Sequence, residues 1–545
     1  MGVETYSSYV WPERVLWDVS SRLAPKRRGR PPGLIFSIGG SAGCRRGGAV
    51  RNYMSKCIDW TNESQRVFVV TQGKCMHSRP CGEIPVPCAR HRIMPRAVSL
   101  LILSLFFFPF VCSAGGRLQA AKTPVVFWTT EVEQDRLDLQ KRLAEIFTAE
   151  QGLQVKVVPV QENRLAERVI AAYAAKALPD VIFHPLEFAV GWAEAGILDS
   201  GAATRVIRHL GEKTFAKGPL NLAKVRDGYA AVPTDGWGQL LLYRRDLFAQ
   251  KGLPLPTDWK GILVAARVLH HPPAIWGFEA ATDPGAVYTQ QVFEHFALSG
   301  GVKLTDARGR VNLDTPAMAR TLGFYRRVAR YSPPGNLNWL HTRMDYLSGR
   351  AAMIVWSPFI LDELSGLRKD QPIIPDLKRK SPGFLARNTG LVAVIRGPSA
   401  LAQYGQVNYL GITRDADSWT ASLWVSFLLG KGYLRWLSMA PEGKLPVRKG
   451  TLSEPNRFVD GWSRLKIGIA DRASISDVYG KERAASIIRG TERMDRWGFS
   501  EGKGSLVAKI YRTKVVPRIL KRFLDGEMDA ARAARLMTER IRALE

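Results

Sequence analysis

Residues 233–259, PTDGWGQLLLYRRDLFAQKGLPLPTDW, constrain the fold of this 545-residue chain more than any other stretch. Pro233, Gly236 and Gly238 surround a carboxylate, Asp235, and an indole, Trp237, and the two glycines let this segment bend. Gln239 to Tyr243 follows as a short apolar strand, QLLLY. Arg244 to Lys251 reads as a short helix that Gly252 closes, because glycine after a helix supplies the left-handed cap and proline beyond it stops continuation. Pro254-Leu-Pro-Thr-Asp-Trp259 then opens the next helix.

The length allows two to four domains. Hydrophobic residues make up 46% of the chain and the mean hydropathy is −0.11, which fits a globular protein with a large core. The net charge of +29 is uneven: residues 1–93 hold 15 Lys and Arg against 6 Asp and Glu, and residues 115–545 hold 62 against 43. In the main body the basic excess is spread along the chain, the pattern of a solvated surface, and nucleic acid is not an expected partner. Cys44, Cys57, Cys75, Cys81, Cys88 and Cys112 are all the cysteines, so thiolate metal sites and thiol nucleophiles are excluded from 113–545.

Residues 97–111, AVSLLILSLFFFPFV, are too short for a comfortable membrane span, and Cys-Ser-Ala114 supplies small residues for cleavage. With Arg96 as the positive flank, residues 94–114 form an expected signal peptide, which places the mature protein in the periplasm or outside the cell. Pro-Phe-Val ahead of Cys112 is not a good lipobox, so a lipid anchor is the minor alternative. Residues 1–93 then precede a segment that normally begins a protein. They are read as an over-extended reading frame or a disordered extension, with Met94 the expected start. A zinc site from Cys75, Cys81, Cys88 and His91 matches no common zinc spacing.

The body opens on alternating elements: a strand at 123–130, a helix at 131–151 ended by Gly152, a strand at 153–160, a helix at 163–177 and a strand at 181–184. Alternation of this kind predicts a parallel α/β sheet, with ligands at the carboxyl ends of the strands, near 128–131 and 184–187.

Several blocks in order carry a resemblance. Leu178-Pro-Asp-Val-Ile-Phe-His184 precedes Trp192-Ala-Glu-Ala-Gly-Ile-Leu-Asp199; Gly349-Arg-Ala-Ala-Met353 precedes Trp356-Ser-Pro-Phe359; then come Gly411-Ile-Thr413, Leu445-Pro-Val447 and the closing Leu524-Asp-Gly526-Glu-Met-Asp-Ala-Ala-Arg532. Together with 233–259 they resemble the extracellular solute-binding proteins of ABC transporters, in particular the sugar-binding, maltose-binding-protein-like group (family 1). The resemblance spans about 123–545. It implies a two-lobed α/β periplasmic-binding-protein fold of type II, closing on its ligand by hinge rotation. Lobe one would be 122–234 plus 409–446, and lobe two 236–407 plus 448–545. Hinges would lie near 234–236, 406–408 and 447–448.

A sugar offers an apolar face to an aromatic plate and hydroxyls to carboxylates, amides and arginine. The aromatic candidates that the resemblance puts at the cleft are Trp128, Trp237, Tyr288, Trp356 and Phe359. The polar ones are Glu131, His184, Glu187, Asp235, Asn408 and Arg448. Trp192, Trp419, Trp424 and Trp436 lie in helical patterns and are expected in the core. Sugar-binding relatives tend to carry Trp and an Asp-Arg pair where this chain has His184, Glu187 and Phe188, which leaves room for a smaller polyol or a phosphorylated ligand.

The expected function is capture of a sugar, oligosaccharide or polyol for a permease of an ABC importer, by a monomer without cofactor, metal or catalysis. No HExxH or P-loop occurs, and His270-His271 is not spaced for a metal. Glu187 with Asp235 as paired glycosidase carboxylates is the enzyme alternative. A glycerol phosphodiester, a polyamine or iron would be a non-sugar ligand for the same fold; Tyr404 and Tyr409 are not adjacent, which argues against iron. A sensory role without transport is compatible with the same residues.

Overall fold

The computed structural model describes residues 123–368 and 383–545. The signal-peptide, start-codon, cysteine and zinc readings all fall outside the described residues.

The expected strand–helix alternation is present, with ends that differ by a few residues. Strand β1 (Val125–Thr129) leads to helix α1 (Gln134–Gln151), strand β2 (Val155–Pro159), helix α2 (Glu162–Ala174), strand β3 (Val181–Pro185) and helix α3 (Leu186–Glu194). Gly152 takes a left-handed φ of 64° and its N–H donates to the Thr148 carbonyl, which ends α1 as a glycine cap should. β1 pairs in parallel with β2 and with β3.

The sheet is mixed beyond that point, where alternation had predicted parallel strands. Leu401–Ile412 joins β3 antiparallel, Val232–Gly238 joins Leu401–Ile412 antiparallel, and Leu445–Pro446 joins Val232–Gly238 antiparallel. The physical reason is that these segments enter from the far side of the molecule instead of returning through a helix. Val232–Gly238 runs through Gln239 into Leu240–Arg244, the central strand of a second sheet between Met353–Trp356 and Thr389–Val392. The chain therefore forms two lobes, and the segments that pass between them lie side by side. The QLLLY strand is Leu240–Arg244, fully buried.

Trp192, Trp424 and Trp436 are buried as expected. Trp419 is 70% exposed, which corrects the core reading. It sits in the first turn of Ser418–Leu429, about half a turn of azimuth away from the buried Leu428. No helix among the described residues is long and apolar enough to cross a membrane.

Candidate functional site

Where the passing strands meet the carboxyl ends of β1 and β3, a cavity of about 340 Å³ opens. Five sequence-predicted residues line it: Glu131, Glu187, Trp237, Phe359 and Asn408.

Glu131 lies two residues past β1, with its N–H donating to Thr129 Oγ1. Arg136 Nη1 stands 2.5 Å from one carboxylate oxygen and Lys444 Nζ 2.5 Å from the other. Burial pushes the Glu131 carboxyl up, but the Lys444 and Arg136 charges together hold it below the ordinary value. Lys444 is itself buried. Its Nζ is 3.3 Å from Asp235 Oδ1 and lies over the Phe183 and Trp436 rings at 5.0 and 5.3 Å. Asp235 also accepts from Trp436 Nε1 at 2.7 Å and from Asn408 Nδ2 at 3.0 Å. Asp235 is fully buried and does not line the cavity. It orients Asn408, which does, and with its Nδ2 held by Asp235 the carbonyl end of that amide is left to accept.

Glu187 stands in the first turn of α3, where the helix dipole favours an anion. Gln406 Nε2 donates to both its oxygens at 3.1 and 3.0 Å. Behind Gln406 is Arg496, almost fully buried, whose Nη1 donates to Gln406 Oε1 and whose Nε is 3.3 Å from Glu294 Oε1. Trp237 packs with Tyr404 at a ring distance of 6.0 Å, and Phe359 packs on this pair from the second lobe. Phe188 and Tyr511 add further ring surface to the lining.

The remaining predicted residues are placed elsewhere. His184 is fully buried between Trp192 and Tyr409, with Nδ1 2.9 Å from the Pro185 carbonyl, and burial depresses its pKa to about 4. Trp128 is covered by the Arg168 guanidinium at 4.4 Å. Tyr288 donates to the Val355 carbonyl at 2.7 Å and packs at 5.1 Å from Trp356, and both are buried. Arg448 donates to the Leu429 and Leu210 carbonyls at 2.6 and 2.9 Å, so it neutralises the carboxyl ends of two helices. None of these five lines the cavity.

Sequence reasoning missed Arg136, Gln291, Lys444, Arg496, Tyr511 and Arg512 as lining residues. Arg136 was within reach of a pattern: it sits five residues after Glu131, one turn into α1. The others come from distant parts of the chain and leave no local signal. Among the described residues no group of three or more His, Cys, Asp or Glu could hold a metal ion. Tyr404 and Tyr409 are both fully buried, and the Tyr409 hydroxyl donates to the Pro219 carbonyl.

Two lobes joined by adjacent strands, with an aromatic and hydrogen-bonding cavity where they meet, define a cleft-type binding protein. Residues 142–450, more than half of the chain, match the family model described as bacterial extracellular solute-binding protein, and the chain belongs to that family. It is 29% identical over 336 residues to YcjN of Escherichia coli (strain K12), described as an ABC transporter periplasmic-binding protein, covering 60% of this chain and 74% of that one. Among solved structures, the fold is similar to the cyclic alpha-maltosyl-1,6-maltose binding protein of Arthrobacter globiformis, with TM-score 0.58, 15% identity, and 77% and 98% of the two chains covered. It is also similar to an ABC transporter solute-binding protein of Agrobacterium radiobacter K84 in complex with ribitol, with TM-score 0.51, 18% identity, and 78% and 100% covered.

Proposed function

We propose that this chain captures a neutral polyhydroxylated solute, a sugar or polyol, in the cleft and delivers it to the membrane subunits of an ABC importer. The observation that carries this reading is the charge balance of the cavity. Glu131 is matched by Arg136 and Lys444, and Lys444 also serves Asp235. Glu187 and Glu294 are served by Gln406 and Arg496. At Glu131 and Glu187 the charges are engaged in this way and leave polar groups for hydroxyls, while Arg512 stands outside these pairs at an exposed part of the lining. The rings of Trp237, Phe188, Phe359 and Tyr511 supply apolar faces, the complement of a sugar's C–H face. A volume of about 340 Å³ is near the low end of the roughly 300–1,000 Å³ typical of ligand pockets, which favours a small sugar or polyol over a long oligosaccharide. The relatives named above, one binding a cyclic maltose derivative and one ribitol, support the same class.

In this reading Glu131, Glu187, Trp237, Phe359 and Asn408 contact the ligand, and Asp235 positions Asn408. Lobe one is 122–234 plus 409–446 and lobe two 236–407 plus 448–545, rotating about the adjacent strands. The protein acts as a monomer in the periplasm or outside the cell, exported by residues 94–114, without catalysis or nucleic acid. Full burial of Asp235 beneath Lys444 and Trp436 disfavours its pairing with Glu187 as glycosidase carboxylates.

Isothermal titration of the purified protein with maltose, ribitol and a panel of other sugars, polyols, glycerol phosphodiesters, polyamines and ferric iron tests the reading. Binding of one carbohydrate or polyol class, weakened at least about tenfold by Trp237→Ala, is the expected result. Binding confined to iron, polyamines or phosphodiesters would overturn it.

A further inference from the structure

The solute-binding reading above uses Glu187 and the cavity rim, and leaves unexplained why an arginine is buried behind them. Arg496 is 1% exposed, yet it lies among the rings of Tyr404, Phe499 and Tyr511, at 4.6, 5.0 and 5.1 Å from their centres. Taking a guanidinium out of water is costly, and such a group persists where its geometry is used. Here each side of the planar fork has a distinct partner. Nε faces Glu294 Oε1 at 3.3 Å. Glu294 is held in turn by the Trp497 N–H at 2.7 Å and by the Tyr511 hydroxyl at 2.6 Å. Nη1 donates to Gln406 Oε1 and lies 3.9 Å from Glu187 Oε1.

An amide has one acceptor end and one donor end. With Arg496 at the acceptor end of Gln406, the NH₂ must face the other way, where it meets Glu187. Gln406 belongs to the long strand Leu401–Ile412, Glu187 to the first turn of α3 just past β3, and Glu294 to the helix Val287–Ser299 on the second lobe. The chain Glu294–Arg496–Gln406–Glu187 therefore runs from one lobe, through a passing strand, to a carboxylate on the wall of the other.

We propose that Arg496 is a positioning residue for the binding site: it fixes the Gln406 amide in one orientation, which in turn aims the Glu187 carboxylate at the ligand and ties its direction to the second lobe. The proposal rests on the solute-binding reading for its consequence, but its geometric claim stands apart from ligand identity. A lysine at 496 carries the charge to Glu294 but, with a single ammonium, does not span to Gln406 as well.

The test combines two readouts on the full chain. In NMR spectra of the side-chain amides, the Gln406 NH₂ protons of the wild type should be well separated and slow to exchange. In Arg496→Lys they should move toward free-glutamine positions and exchange faster, while they stay put in Trp419→Ala, whose ring is 70% exposed on the helix Ser418–Leu429. Titration with maltose and ribitol should show affinity reduced about tenfold or more in Arg496→Lys. The second variant, Gln406→Glu, keeps a partner for Arg496 and sets a carboxylate against Glu187. Its affinity should be low at pH 7.5 and recover toward pH 5 as the pair gains a proton, which reports that residue 406 acts on the ligand through Glu187. If the wild type binds neither probe, the ligand reading fails for those probes and the amide spectra still decide the positioning claim. Unchanged Gln406 resonances in Arg496→Lys would overturn the proposal, and so would a flat pH profile in a probe-binding Gln406→Glu. Should Arg496→Lys not fold, Gln406 resonances of the wild type that match free glutamine overturn the claim without any variant.

Discussion

Lys444 shows at residue scale how much of this cleft is held by buried charge. One ammonium serves two buried carboxylates, Glu131 and Asp235. Lys444→Met removes it, which leaves Asp235 without its cation and Glu131 with Arg136 alone. Breaking a buried pair in this way costs about 3–5 kcal/mol, so the denaturation midpoint should drop sharply at pH 7. The sign of the pH dependence follows from Glu131, whose carboxyl is held below its ordinary value in the folded protein. Its stabilisation is present above pH 4.5 and is lost as the pH falls further. The deficit of the variant, measured by chemical denaturation, should therefore shrink on acidification, because the wild type there loses the Lys444–Glu131 contribution that the variant already lacks. Glu279 runs the other way. Burial, and secondarily the Asp345 charge, push its carboxyl up to about 8. The folded state then binds more protons than the unfolded one between about pH 4.5 and 8, and this contribution to stability falls as the pH rises through that window, by up to about 1.4 kcal/mol per unit. Glu279→Gln should flatten the decline and leave the variant the more stable of the two at pH 8.5. Neither pairing was legible in the sequence. Lys444 and Glu131 are 313 residues apart, and Arg496 and Glu294 are 202 apart. No spacing rule reaches that far.

Local pattern does far better at the scale of elements. The alternation of β1, α1, β2, α2 and β3, the Gly152 cap and the buried strand after Gly238 are all written in short stretches, because periodicity and capping act over a few residues. What local pattern does not contain is strand direction, and the antiparallel passing strands therefore departed from the expected parallel sheet. Glycine marks these strands for a steric reason. A Cβ on Gly236 would lie 2.4 Å from the Gln406 carbonyl oxygen and one on Gly443 would lie 2.0 Å from the Phe359 ring. The first obstacle is backbone of a paired strand, which yields only by parting the strands. Gly236→Ala should cost about 1–3 kcal/mol and weaken ligand binding together with stability. The second obstacle is a side chain at the cavity wall, which can move. Gly443→Ala should displace Phe359, changing affinity by calorimetry more than it changes the denaturation midpoint. A variant of Gly443 with lower stability but unaltered affinity would show that Phe359 is a packing residue and not part of the binding surface.

Val232–Gly238, Leu401–Ile412 and Leu445–Pro446 are hydrogen-bonded neighbours in one sheet, so a rotation of the lobes is expected to run about them. On one side of the cleft α3 packs against the helix Gly504–Thr513, and Phe359 lies against the loop at Gly443. These are contacts between opposite walls, as expected of a closed cleft, and closure without a ligand must expose or trap polar groups that a solute would satisfy. The open form should then dominate in the absence of ligand, and the solute should shift the population by its preference for the closed one. Small-angle scattering should accordingly give a radius of gyration that falls when ligand saturates the protein. The same binding should raise stability by about 2.7 kcal/mol at a ligand concentration a hundredfold above the dissociation constant, and by about 1.4 kcal/mol more for each further tenfold. A stability gain of that size with unchanged scattering would mean that the ligand enters a cleft already closed, so that the passing strands act as a fixed frame and not as a hinge.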